Sequence, residues 1–200
     1  MKQNINLGDT DKFVAWGTNG MKNCLDHCKL ILKKYGLTTY GSSANMYTLL
    51  KEQNGKLTYY GDNPRQNYKD AIACIDKHLE SGRPIIVGVN HTLGNTYNEG
   101  TTDHFVVIYG RETCKDGIHY MYYEVGKTNI TSGYNDKENR FIYKDGRNPQ
   151  FYDQYSGSKR ILSGRIVLFL RVCLWCQRIS AGCKSFQPAR CRKLQEEYVC

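Results

Sequence analysis

The stretch NEGTTDHFVVIYGR, residues 98–111, passes from a polar Asn/Gly/Thr loop through Asp103 and His104 into five apolar or aromatic residues and then Gly110. A short run rich in Val, Ile, Phe and Tyr, bounded by turn residues, reads as a buried strand. His104 stands at its mouth. One reading makes it a hydrogen-bonded histidine that caps a core strand. The other makes it a base that waits for a nucleophile elsewhere in the chain. The neighbouring segments decide between them.

Downstream, the turn TCKDG (113–117) leads into IHYMYYEVG (118–126), a second strand, so the two form a hairpin. Glu124 near the end of that strand can then reach the ring of His104 on the first. FIYK (141–144), flanked by KENR and KDG, reads as the last strand of the body. Upstream, RPIIVGVN (83–90) reads as a short strand, followed by the loop HTLGNTYNEGTTD (91–103). Thirteen residues without evident structure are long enough to be functional. His91, which opens this loop, and Asp103, which closes it, are placed as lining the substrate cleft. Asp103 also reads as a plain turn residue.

Before these strands the period is helical. In NCLDHCKLILKKYGL (23–37), Leu25, Cys28, Ile31, Leu32 and Tyr35 share a face and Gly36 stops the helix. SSANMYTLLKEQNG (42–55) is expected to be a second helix, capped at Ser42 or Ser43 and ended by Asn54-Gly55. NYKDAIACIDKHLESG (67–82) is the third, with Tyr68, Ile72, Ile75 and Leu79 on one face. Helices first and antiparallel strands afterwards give an α+β chain, with the helices packed on one face of the sheet.

Asn23 reads as the N-cap of the first helix, which puts Cys24 in its first turn. Unpaired amides and the helix dipole favour a thiolate there. Cys28, one turn on and on the apolar face, reads as core; Cys74 and Cys114 read as structural or incidental. A thiol nucleophile needs a base, and the base needs an orienting partner. His27 is a rival partner, but a base on the same helix does not face Cys24 across a cleft. His27, His78, His91 and His119 therefore read as solvated or locally bonded. Cys24, His104 and Glu124 remain, one on a helix and two on a sheet.

Cys24 through KKYG (33–36), then PIIVGVN (84–90), then HFVVIYG (104–110) and a strand that ends in an acidic residue resemble papain-like cysteine peptidases. The type that processes bacteriocin leaders, and its bacterial relatives, is the most similar. The likeness spans residues 16–126 and is strongest over 83–126. It implies Cys24 as nucleophile, His104 as base and Glu124 in the third position. It implies an oxyanion donor ahead of the cysteine, for which Asn19 stands five residues before, where the family often has Gln six before. The family also often has Gly where this chain has Leu25, and Asp or Asn where it has Glu124. Small relatives include peptidoglycan amidases and toxins, so a peptide or muropeptide substrate is implied. No metal or cofactor is expected at this site.

Composition sets the remaining bounds. Forty per cent apolar residues argue against disorder, and no apolar run is long enough to span a membrane. MKQNINLGDTDKF (1–13) lacks the apolar core of a secretory signal, which predicts a cytoplasmic chain or export by a signal-independent route. The net charge of +9 is uneven: from Lys159 onward nine Lys/Arg face two Glu, which leaves 19 against 17 for residues 1–158. A nearly neutral body is no nucleic-acid signature, and no specific nucleic acid is expected as a partner. Five of the nine cysteines crowd the same tail. Residues 1–160 thus read as one hydrolase domain. Residues 161–200 read as a candidate final strand at RIVLFLRV (165–172) plus a basic, Cys-rich extension. The abrupt change of composition is what a shifted reading frame would produce. Cys173-x2-Cys176 with Cys183 and Cys191 is the zinc alternative there, although the second pair is seven residues apart. A non-catalytic binding module, whose basic tail engages nucleic acid or an anionic surface, is the rival to the enzyme.

Overall fold

A computed structural model describes residues 2–37, 47–90, 94, 97–144, 150–153 and 169–170. These form a mixed helix and antiparallel-sheet (α+β) protein. Strand β1 is Ile5–Asn6, helix α1 Cys24–Lys34, β2 Leu50–Gln53, β3 Lys56–Tyr59 and helix α2 Pro64–Glu80. Then come β4 Ile85–Val89, β5 His104–Cys114, β6 Gly117–Tyr123, the one-turn helix α3 Ile130–Gly133, β7 Arg140–Lys144, β8 Gln150–Asp153 and β9 Phe169–Leu170. The large sheet has the order β8-β7-β6-β5-β4-β9, all antiparallel, with β1 also beside β5.

β5 is long enough to serve two neighbours on one edge. β4 pairs with it from His104 to Ile108, and β1 takes over at Gly110 and Arg111. The ladder to β6 is irregular between Ile108 and Gly110. Gly110 is needed at that junction: a Cβ there would lie 2.6 Å from the Ile5 carbonyl oxygen.

The two long helices lie on opposite faces of the sheet, not on one. Ile85, Val87 and Val89 of β4 and Val106 and Ile108 of β5 join the core with Tyr68, Ile72, Ile75 and Leu79 of α2. Ile86, Val107 and Tyr109 point the other way, to Cys28, Ile31 and Leu32 of α1. Strands buried on both faces read as continuous apolar runs, which is the pattern of IIVGV and FVVIY. That pattern calls for cover on both sides.

The expected helix over 42–55 is corrected. Residues 38–46 lie outside the described residues, and Leu50–Gln53 is a strand paired with Lys56–Tyr59. Asn54 and Gly55 have φ of 52° and 72°, both left-handed, as a two-residue hairpin turn requires. They are the turn of a hairpin, not the end of a helix. The candidate last strand of the sheet is described only at Phe169 and Leu170, which pair with Gly88 and Val87. The zinc alternative, the tail cysteines and the extension fall outside the described residues.

A buried ionic group fastens α2 to β5. Arg111 places Nη1 2.6 Å from Asp76 Oδ1 and Nη2 2.8 Å from Glu80 Oε1, and its Nε donates to the Gln3 carbonyl. The Tyr120 hydroxyl donates to Asp76 Oδ1 and Lys2 pairs with Oδ2. Removing one member of a buried pair leaves the other charge uncompensated. Arg111→Met is therefore expected to lower stability by about 3 kcal/mol, reduced to the extent that Lys2 still neutralises Asp76. Urea denaturation measures it, and an unchanged midpoint would show that the group contributes nothing.

Candidate active site

Helix α1 begins where its first residue is useful. The Asn23 side chain accepts from the amides of Leu25 (2.8 Å) and Asp26 (3.3 Å), as an N-cap does. Among the described residues no acceptor is placed on the Cys24 amide. Cys24 is half-buried, at the first position of the helix. At the other end Gly36, with φ 72°, closes the helix, and the Leu37 amide returns to the Leu32 carbonyl at 3.0 Å. The Tyr35 hydroxyl donates to the Leu7 carbonyl at 2.7 Å, which pins that end to the N-terminal segment.

His104 is the first residue of β5, and Glu124 follows the last residue of β6. The ladder places Val107 opposite Tyr123, so three further steps bring His104 level with Gly126 and beside Glu124. The His104 Nε2 lies 2.7 Å from Glu124 Oε1. The ring also hydrogen-bonds the Cys24 thiol. The sheet thus presents an imidazole to the start of the helix, with a carboxylate behind it.

Electrostatics favour a charged ring. Burial works against it, but hydrogen bonds to Cys24 and Glu124, and the negative charge of both, outweigh burial and push His104 up to about 10. The Glu124 carboxylate is itself buried, and Oε1 also accepts from the Gly126 amide at 2.7 Å. Its own amide donates to the Gly133 carbonyl at 2.8 Å, so α3 braces the backbone.

The other candidates divide. Cys28 is fully buried, and burial, then the charges of Cys24 and Glu124, raise its thiol well above the ordinary range. Asn19 lies in a 3-10 turn, exposed and left-handed, and the structure shows no contact between it and the thiol. The Asp103 amide donates to the Val89 carbonyl at 3.0 Å, as a residue at the loop exit would. His91 lies outside the described residues. Three further histidines are buried rather than solvated, and each is bonded locally. His27 binds the Asn23 carbonyl, His78 the Cys74 carbonyl and His119 the Asp116 carboxylate.

Gly126 is a residue that sequence reasoning missed, although the hairpin register points to it. A Cβ there would lie 3.0 Å from Glu124 Oε1 and 3.5 Å from His104 Cε1. Gly126→Ala is expected to leave the melting temperature nearly unchanged, since the residue is exposed. The displaced carboxylate should lower turnover about tenfold, in line with losses from misplaced catalytic groups. Parallel melting curves and rates check it; an unchanged rate would mean that the carboxylate tolerates the shift.

Among the described residues one group has metal-ligand chemistry, at the opposite end of the hairpin. Ligand atoms of Cys114, Asp116 and His119 lie within 4.8 Å of one another. The Asp116 carboxylate already takes His119 Nε2 at 2.8 Å. Burial opposes its charge, but that bond and nearby Lys144 lower its pKa on balance. The arrangement is accounted for as a clasp on the two-residue turn. No family model, curated protein or solved structure matches the chain. Among the described residues no helix is long and apolar enough to cross a membrane.

Proposed function

We propose that the protein is a papain-like cysteine hydrolase that cleaves amide bonds of a peptide or muropeptide. The observation that carries this reading is the bonded series from Cys24 to His104 to Glu124, with the thiol at the first position of a helix. A ring that holds its proton strongly beside a thiol is placed to give that proton to a leaving amine.

In this reading the Cys24 sulfur attacks the carbonyl carbon of the scissile amide. The oxygen takes up the negative charge, for which the Cys24 amide is a donor and Asn19 a second candidate. The imidazolium of His104 gives its proton to the leaving nitrogen, the C–N bond breaks, and a thioester remains. Water then attacks the thioester while His104 takes one of its protons. The C–S bond breaks and a carboxylate leaves. Glu124 holds the ring in place and balances its charge throughout.

Incubation of the full chain with peptides and peptidoglycan fragments, read by mass spectrometry, tests the proposal. Cleavage products that gain one water and are absent with Cys24→Ala are expected. Equal products from both proteins would overturn the assignment. Saturable binding without cleavage would favour the non-catalytic binding module.

A further inference from the structure

Ahead of α1 the chain is held by a histidine that the Cys24–His104 pair does not use. His27 lies one turn beyond Cys24 and is fully buried. Its Nδ1 is 2.7 Å from the Asn23 carbonyl oxygen, and its Nε2 accepts from the Gly17 amide at 3.1 Å. A carbonyl only accepts and an amide only donates. With these partners Nδ1 donates and Nε2 accepts. The Trp16 ring stacks on it at 4.9 Å and an interplanar angle of 10°.

The connection continues past the stack. The Trp16 amide donates to the Lys127 carbonyl at 2.8 Å, and the Lys127 amide to the Glu124 carbonyl at 3.3 Å. One imidazole thus joins the carbonyl one residue before Cys24, the segment Trp16–Gly20, and through it the segment that carries Glu124. That loop has an uncommon shape: Gly17, Asn19 and Gly20 have φ of 83°, 55° and 73°. A left-handed non-glycine residue persists where its surroundings fix it. The Gly17 bond to His27 fixes the loop at its first left-handed residue.

We infer that His27 is a positioning residue, which holds the Trp16–Gly20 loop against the start of α1 and so shapes the side of the site where the substrate's carbonyl oxygen gains charge. This rests on Cys24 as nucleophile. His104 and Glu124 continue the bonded series from the thiol; His27 holds the loop that precedes it. Loss of His27 should then spare the thiolate and impair only steps that build an oxyanion.

Two reagents separate these effects in the full chain. Iodoacetamide alkylates sulfur and needs only thiolate. p-Nitrophenyl acetate acylates it through a tetrahedral oxyanion. Each rate is taken as the difference between a protein and its Cys24→Ala counterpart. His27→Phe keeps an aromatic ring against Trp16 and deletes both hydrogen bonds. It is expected to slow acylation about tenfold or more while alkylation changes less than about twofold. His27→Gln, whose amide reaches Gly17 with an acceptor, should recover most of the loss. His27→Asn, too short for Gly17, should not. If His27→Phe fails to fold, the Gln and Asn pair carries the comparison. A reactive Cys24 with an unchanged ratio of the two rates in all folded variants would overturn the inference alone. Wild type and Cys24→Ala reacting equally with both reagents would overturn the proposed function, and this inference with it.

Discussion

Cys24→Ala is expected to lose hydrolysis by a factor on the order of 10⁴ or more, and His104→Ala by nearly as much. The double variant should be hardly worse than either, because a thiol and the base that activates it act as one unit. All three proteins should stay folded. Cys24 is half-buried at a helix end, and the N-cap bonds of Asn23 do not involve its side chain. Cys28→Ala should do the reverse. That thiol is fully buried against Ile31, Leu32 and Val107, and its removal should cost about 1–2 kcal/mol while most activity remains. Rates on the cleaved substrate beside thermal melts read both effects. A folded but inactive Cys28→Ala with an active Cys24→Ala would reverse the assignment of the nucleophile.

The helix that carries Cys24 was legible because its signals are local. Asn23 caps it, five residues share its apolar face, and Gly36 ends it in the left-handed conformation. The β5–β6 hairpin was legible for a similar reason: two β-rich runs close on a short turn, and the register that follows places Glu124 beside His104. What a single sequence does not carry is the third dimension of that pairing. Nothing local brings Cys24 to His104, eighty positions away; burial of α1 on Val107, Tyr109 and Tyr123 does so.

The errors also have physical sources. Leu49, Leu50 and Glu52 are buried while Gln53 is exposed, a short pattern that fits half a helix turn as readily as a strand. Asn54-Gly55 is both a helix stop and the strongest hairpin turn, and only the pairing of Lys56–Tyr59 back onto Leu50–Gln53 selects the second. Helices on one face alone would leave the other side of the unbroken apolar run of β4 uncovered. The role of His27 is not legible in the sequence for another reason. Its role lies in two backbone partners and a stacked tryptophan, and no motif marks such an arrangement.

Glu124→Gln should move the alkaline limit of the reaction. In the native protein the imidazolium persists to about pH 10, because hydrogen bonds and negative charge from Cys24 and Glu124 overcome the penalty of burial. Glutamine keeps a hydrogen-bonding oxygen near the ring and removes the carboxylate charge. Burial then opposes a weaker set of attractions, and the ring loses its proton at lower pH. The shift should exceed one pH unit, about 1.4 kcal/mol of lost charge interaction. The rate at neutral pH should fall less than in His104→Ala, since the ring stays oriented. Stability follows the same sign. A histidine whose folded pKa is raised from about 6.5 stabilises the fold fully below that value. The contribution declines as pH rises and is gone above about 10. Glu124→Gln should therefore lose most stability on the neutral-to-acid side of that window and little above it. The pH profile of substrate hydrolysis and denaturation midpoints at pH 6 and 10 measure both. An alkaline limit that stays in place would mean that the thiol, not Glu124, holds the proton on His104.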